Sequence, residues 1–124
     1  MTVLVKRAIR QLCVLYRLID KRQHCFYCGV PTKPSDRTRD HAVPLAQNGP
    51  THRHNSLNAC APCNHAKGGH TIEEFRAARY AGKPVEFYGE TIVRQWRDQQ
   101  RVKCRIANRE ADAKPWAANQ GGNA

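Results

Sequence analysis

The chain has 124 residues, which is enough for one domain and too short for two ordinary hydrophobic cores. Lys and Arg number 21 against 10 Asp and Glu, and the formal net charge of +11 favours a polyanionic partner such as nucleic acid. A basic surface is also typical of ordinary solubility, so charge supports such a partner without establishing it. No stretch approaches the roughly 18 apolar residues of a membrane span, and we expect no membrane partner.

The six cysteines could form the disulfide framework of a secreted protein. Near the start of the chain, however, Lys6, Arg7 and Arg10 interrupt the apolar residues, which argues against a signal-peptide core. We therefore expect the protein in the cytoplasm, where paired cysteines more often bind metal. Cys13 and Cys104 stand alone in helix-like stretches and are predicted to be small buried hydrophobes.

Apolar residues at intervals of three and four predict a helix over residues 3–22. Its Lys and Arg residues lie mostly off the apolar stripe. They either contact phosphates or serve solubility alone.

Two Cys-x-x-Cys pairs follow, Cys25 with Cys28 and Cys60 with Cys63. Two such pairs can supply four thiolates in a tetrahedron, which is the arrangement that Zn²⁺ prefers in a closed structural site. We predict that these four cysteines bind one zinc ion.

The residues between the pairs predict a β-hairpin followed by a helix. Residues 38–43 are predicted to form a strand that ends near Pro44, because proline cannot donate to a ladder. The sequence Gln47-Asn48-Gly49-Pro50 is a turn signal, and residues 56–59 are expected to return as a second strand. A helix should begin at residues 60–62, since Pro62 suits a first turn.

Two further helices are predicted after this core. Thr71 and Glu74 have the spacing of a capping box, and the helix should run over residues 71–81. Residues 90–108 are expected to form a basic helix, and the uncharged residues 115–124 a disordered tail. The whole is predicted to be one α+β domain over residues 1–114, with its core at residues 23–70.

Asp40, His41 and Asn64 carry the candidate chemistry. Histidine can take a proton from water near neutral pH, and His41 is the candidate general base. A carboxylate at Asp40 and an amide oxygen at Asn64 are ligands that suit Mg²⁺. Because side chains alternate along a strand, we expect a distortion between Asp40 and His41, with the metal and the attacking water on different sides of the phosphate.

These residues resemble the HNH endonucleases, the ββα-metal nucleases. The matching pieces are Cys25-x-x-Cys28-Gly29, Asp40-His41-Ala42-Val43-Pro44, Asn48-Gly49, Asn55 and Cys60-x-x-Cys63-Asn64-x-x-Lys67-Gly68. The resemblance covers residues 25–68. It departs from the family at Asn64, where histidine is frequent, and at Ser56, where leucine is usual.

The resemblance implies a ββα-metal finger with a zinc site, flanked by N- and C-terminal helices. By the resemblance, His41 is the general base, and Asp40 with Asn64 holds a catalytic Mg²⁺ or Mn²⁺, with Ni²⁺ or Zn²⁺ as alternatives. Asn55 either orients His41 or braces the hairpin loop; a simple turn residue is its bland alternative. For Asp40 the structural alternative is a cap or a salt-bridge partner.

The same resemblance implies a DNA endonuclease that nicks or cuts both strands and leaves 5′-phosphate and 3′-hydroxyl ends. The chain is similar to small stand-alone HNH proteins encoded near phage packaging genes. This likeness implies that the partners are DNA and other phage packaging proteins and that the protein is a monomer or dimer. It also implies a location in the bacterial host cytoplasm. The alternative is a zinc-stapled DNA-binding module without nuclease activity.

Four residues are predicted to lie along the path of the nucleic acid. They are Arg39, His52, His54 and Lys67. His52 and His54 are also the main rivals for direct metal binding.

Overall fold

The computed structural model describes residues 2–113. In chain order the elements are α1 (Val3–Ile19), β1 (Arg37–His41), β2 (Ser56–Cys60), α2 (Ala61–Lys67), α3 (Ile72–Tyr80) and α4 (Tyr88–Ala113). Two short 3-10 turns, Leu45–Gln47 and Arg53–Asn55, lie between the strands. The α+β prediction, with a ββα core flanked by helices, is confirmed. The predicted disorder of residues 115–124 lies outside the described residues.

The chain divides into two compact units, Met1–Val93 and Arg94–Ala124. Among the described residues, every helix is too short or too polar to cross a membrane.

The hairpin of the first unit pairs β1 with β2 in antiparallel register. Asp40 lies opposite Leu57, and His41 lies opposite Ser56. The pairing runs without a break from Arg37 to His41, so the distortion expected between Asp40 and His41 is absent. Asp40 is buried while His41 is half-buried, as expected for neighbours on opposite faces of a regular strand.

Helix α2 packs on the face of β1 that carries Thr38 and Asp40. Asn64 donates to the hydroxyl of Thr38 at 3.0 Å, and Lys67 reaches Asp40 at 3.1 Å. Both helical residues face the strand because positions three apart share one side of a helix. The helix begins directly after Cys60, as predicted, with a proline in its first turn.

Helix α1 ends three residues earlier than the apolar spacing predicts. After Ile19, the Asp20 carboxylate accepts from the backbone N–H of His24 at 2.7 Å and contacts the His24 Nδ1 at 2.8 Å. These hydrogen bonds take the place of further helical hydrogen bonds. The chain therefore leaves the helix in a turn that leads to Cys25 and Cys28. Cys13 is buried as predicted, and burial raises the pKa of its thiol to about 12, so it stays neutral.

Aromatic rings fill the core beside the first cysteine pair. Phe26 packs edge-on against Tyr16 and Tyr27, and Phe87 stacks on Phe75. The first turn of α4 closes over Phe26: a Cβ on Gly89 would lie 2.1 Å from that ring. Only glycine permits so close an approach.

In the second unit, the described residues 94–113 are the remainder of α4. Asp98 lies 3.7 Å from both Arg94 and Arg101, one turn away on either side. Cys104 is exposed, so the prediction that it is a buried hydrophobe was wrong. The apolar residues around it, Val102 and Ile106, are exposed as well, and the helical pattern therefore does not mark a buried face here.

The four paired cysteines come together where the first turn meets the β2–α2 junction. Their sulfur atoms all lie within 4.8 Å of one another, and the Cys28 and Cys60 sulfurs are 3.8 Å apart. Tetrahedral zinc with Zn–S bonds of about 2.3 Å requires sulfurs about 3.8 Å apart, so the cluster fits zinc. It is the one such group of His, Cys, Asp and Glu side chains within residues 2–113.

We predict that Cys60→Ser unfolds the first unit. Structural zinc contributes on the order of 10 to 16 kcal/mol in small zinc domains, which is comparable with the whole stability of an ordinary domain. Zinc content by atomic emission and thermal unfolding by circular dichroism measure the effect. The matched control is Cys104→Ser, which should change neither quantity; a folded, zinc-free Cys60→Ser protein would contradict the zinc assignment.

Candidate active site

The thiols of the cysteine cluster have pKa values that are shifted in opposite directions. Burial opposes ionisation of Cys25, but backbone N–H groups of Cys28, Cys60 and Tyr27 lower the pKa of its thiol overall. Burial raises the pKa of Cys63, with neighbouring thiols adding to the effect. A bound zinc ion would offset this cost, because coordinated thiols are deprotonated. The cluster therefore serves as a staple that places the next residues of the chain.

His41 stands at the end of β1, beyond the face covered by α2. Its side chain is half-buried, and within residues 2–113 its imidazole has no hydrogen-bond partner. Its backbone is fixed on two sides: it pairs with Ser56, and its carbonyl accepts from Lys67 at 2.8 Å. The His41 imidazole can therefore exchange a proton with a bound substrate or water, while hydrogen bonds keep its backbone in place.

Asp40 is 3% exposed and points to the opposite side from His41. Its Oδ2 accepts from the hydroxyl of Tyr27, and its Oδ1 forms an ion pair with the Lys67 ammonium at 3.1 Å. The salt-bridge alternative considered for Asp40 is therefore what the structure contains. A carboxylate has about four lone-pair sites, so two of them stay unused.

Lys67 is fully buried, which makes the prediction of a phosphate contact wrong. Its position three residues after Asn64 puts it on the inner face of α2. The ammonium there joins the Asp40 carboxylate and the His41 carbonyl, and so ties the last turn of α2 to the end of β1. Lys67 is a positioning residue in this structure.

Asn64 is half-buried on the same face of α2. Its amide nitrogen donates to Thr38, which orients the group, and Thr38 in turn donates to the carbonyl of Ala59 at 2.7 Å. Within the described part of the chain, the Asn64 Oδ1 has no hydrogen-bond partner. It remains available as an oxygen ligand.

Asn55 braces the hairpin loop, which is one of the two roles predicted for it. Its side chain accepts from the N–H of Val43 at 2.8 Å and donates to the carbonyls of Val43 and Pro50 at 2.8 and 2.9 Å. It is buried, and its bonds hold the chain immediately after His41. It makes no contact with the His41 ring.

The remaining predicted residues lie on the side of β1 away from α2. Arg39 is exposed there, and His52 and His54 contact each other with ring centroids 4.4 Å apart. The His52 Nδ1 accepts from the backbone N–H of His54 at 3.2 Å, which caps a 3-10 turn. Neither histidine joins a group that could hold a metal within residues 2–113.

Tyr27 is the residue of this site that the sequence did not reveal. It lies between Cys25 and Cys28, so the turn that carries the first cysteine pair also brings its buried hydroxyl to Asp40. Burial, with the charge of Asp40, raises the pKa of Tyr27, which stays a neutral donor. An aromatic residue inside a Cys-x-x-Cys pair was the available signal, but it is equally typical of a core residue.

The comparison with protein families agrees with this geometry. Residues 25–78 match the family model described as HNH endonuclease. No curated protein matches the chain. The matched segment contains the four cysteines, both strands, α2 and the residues Asp40, His41, Asn55 and Asn64. Residues 25–78, less than half of the chain, are therefore similar to the HNH endonucleases over the segment that carries the cysteine cluster and the hairpin.

Proposed function

We propose that the protein is a metal-dependent endonuclease that hydrolyses phosphodiester bonds of DNA. The observation that carries the proposal is the unpartnered imidazole of His41 on a fixed strand end, inside a matched nuclease domain. The net charge of +11 suits a polyanionic substrate. DNA is the substrate that the family description supports.

His41 is the proposed general base. Hydrolysis needs a proton removed from the attacking water and charge stabilised on the phosphate. The half-exposed ring can reach a phosphate that lies across the open end of β1. The ion pair below it keeps the backbone of His41 still, because Lys67 holds its carbonyl at 2.8 Å.

A catalytic Mg²⁺ or Mn²⁺ would be held by Asn64 and Asp40, with Ni²⁺ or Zn²⁺ as alternatives. When bound, such an ion would neutralise developing charge on the phosphate oxygens. Asn64 fits this role, since its Oδ1 is free of protein partners within residues 2–113. Asp40 fits it only where the Lys67 ammonium gives way, because a nearly unexposed carboxylate leaves no room for the waters that Mg²⁺ keeps.

The finer parts of the proposal rest on the family resemblance. They are products with 5′-phosphate and 3′-hydroxyl ends, nicking or double-strand cleavage, a monomer or dimer, and action in a bacterial cytoplasm. A phage origin with a role near DNA packaging belongs with them.

A second candidate function is a zinc-stapled DNA-binding module that does not cut. The paired state of Asp40 favours it, since both carboxylate oxygens already have protein partners. Nicking of supercoiled plasmid with added Mg²⁺ or Mn²⁺ separates the two candidates.

We expect His41→Ala to reduce plasmid nicking by roughly 10²- to 10⁴-fold, the usual contribution of a general base. Zinc content and DNA affinity should be retained, because the ring makes no bond to other described residues. His65→Ala is the matched control, since His65 is an exposed histidine on α2. Equal nicking by the His41→Ala and His65→Ala proteins would remove His41 from the catalytic group.

Asn64→Ala should raise the Mg²⁺ concentration needed for half-maximal nicking by about tenfold, corresponding to the loss of about 1.4 kcal/mol of ion binding. Asn64→Asp keeps an oxygen ligand and should restore the wild-type ion requirement or lower it. An Asn64→Ala protein with an unchanged Mg²⁺ requirement would take Asn64 off the ligand set.

Lys67→Met should cost about 3 to 5 kcal/mol of stability, because it leaves the buried Asp40 carboxylate without its cation. If Asp40 exchanges Lys67 for a divalent ion, Mn²⁺ should bind this variant more tightly and restore part of the lost stability. Mn²⁺ titration by electron paramagnetic resonance and thermal unfolding measure both effects. Unchanged Mn²⁺ affinity would assign Asp40 a purely structural role.

A further inference from the structure

We propose that a basic groove between α1 and the outer side of the hairpin binds the phosphates of one DNA strand and directs that strand to His41. The inference rests on the proposed function and deepens it, since it assigns the surface that binds the DNA substrate. Helix α1 precedes the segment matched by the nuclease family, so the groove is built by this chain's own addition to that domain.

One wall of the groove is a stripe of cations on α1. Lys6, Arg10 and Arg17 are spaced by four and seven residues, which puts them on one side of the helix. The eleven residue steps from Lys6 to Arg17 span about 16 Å at a rise of about 1.5 Å per residue. A duplex strand carries a phosphate about every 3.4 Å along its axis, so the stripe is long enough for several.

The opposite wall is formed by the second 3-10 turn and the strands. Lys6 and Arg10 face His52 and His54 across a cavity of about 910 Å³. Arg17, whose guanidinium donates to the carbonyl of Arg53, lines a neighbouring cavity of about 700 Å³ together with Arg39. His54 and residues of α1 line both cavities, so the two lie side by side along α1.

The charge of the groove is nearly all of one sign. The larger cavity has no carboxylate in its lining, and the smaller one has Asp20, whose two oxygens are bound by His24. Slight desolvation and the positive charges of His52, Arg53 and Arg10 lower the pKa of His54. A phosphate in this field replaces repulsion between cations with attraction.

Arg37 adds a further cation to the lining of the smaller cavity. Its Nε is buried without a hydrogen-bond partner within the described residues, and it has no surface through which a phosphate could reach it. Arg37 therefore contributes positive charge to the groove and not a hydrogen bond from that atom.

The groove leads to the proposed general base. Ser56 lines it, and Ser56 is the strand partner of His41. Arg39 and His41 are two residues apart on β1 and therefore share the face that looks away from α2. His41 itself lines neither cavity, so a strand seated along α1 reaches it only by continuing past Ser56 to the end of β1.

The test measures binding of a labelled 30-base-pair DNA by fluorescence anisotropy in the His41→Ala background, without added divalent ion. Lys6→Ala with Arg10→Ala removes two groove cations, both exposed, so folding should be retained. The slope of log Kd against log salt should fall by about two, at about 0.9 per phosphate contact, with Kd roughly tenfold weaker at low salt. Thermal unfolding and zinc content verify the fold.

The matched control is Arg7→Ala with Arg22→Ala, which removes the same charge from exposed positions outside both cavities. Its salt slope should stay near that of the parent. Equal losses in the two double variants would show a general charge effect and overturn the groove. A larger loss for double-stranded RNA of the same sequence than for DNA would overturn the assignment to DNA.

Cleavage kinetics separate this inference from the proposed function. With His41 intact, the Lys6→Ala, Arg10→Ala variant should raise KM for plasmid and leave kcat unchanged. A p-nitrophenyl ester of thymidine phosphate is too short to occupy the groove, so this variant should hydrolyse it at the parent rate. An absence of all cleavage would sink the proposed function and leave the binding result standing. A fall in kcat for the short ester would instead overturn the positional role of the groove.

Discussion

The convergence of four sulfur atoms is the constraint on which the rest of the structure depends. Cys25 and Cys28 belong to a turn after α1, while Cys60 and Cys63 belong to the junction of β2 and α2, and their sulfurs lie within 4.8 Å. A metal ion held by these four sulfurs would link the two segments directly and add its binding free energy to that of folding. Helix α2 begins directly after Cys60 and packs along β1. The same turn delivers Tyr27 to Asp40, so the staple and the site share one short segment.

The buried ion pair of Asp40 and Lys67 is the second fixed point, and it has two consequences. It joins α2 to the end of β1, where the ammonium also holds the His41 carbonyl at 2.8 Å. It also neutralises the carboxylate that would otherwise attract a divalent ion. A buried charge that loses its partner is costly, and this holds for the Lys67 ammonium as well as for the Asp40 carboxylate. The ion pair therefore stabilises the described structure, and a divalent ion at Asp40 would require Lys67 to move.

The sequence allowed the ββα core to be predicted because its signals are local or chemically specific. The cysteine spacings, the capping box of Thr71 and Glu74, and the placement of Pro62 each have one dominant structural explanation. Lys67 was misjudged because lysine is rarely buried, and its partner Asp40 is distant in sequence. Cys104 was misjudged because periodicity alone does not tell whether a helix has a neighbour. The groove was not predictable in detail, since it needs the positions of α1 and the second 3-10 turn together.

The two faces of β1 carry different groups of the candidate site. Asp40 and Thr38 face α2, where oxygen ligands and the ion pair lie, while Arg39 and His41 face the side of the groove. Side chains alternate strictly along an undistorted strand, so these two groups lie on opposite faces of β1. The two faces meet at the end of the strand. On the proposed function, a phosphate at that end would have the His41 imidazole on one side and the Asn64 and Asp40 oxygens on the other. Regular pairing alone places His41 and Asp40 on opposite sides of the strand, without the local distortion that the sequence predicted.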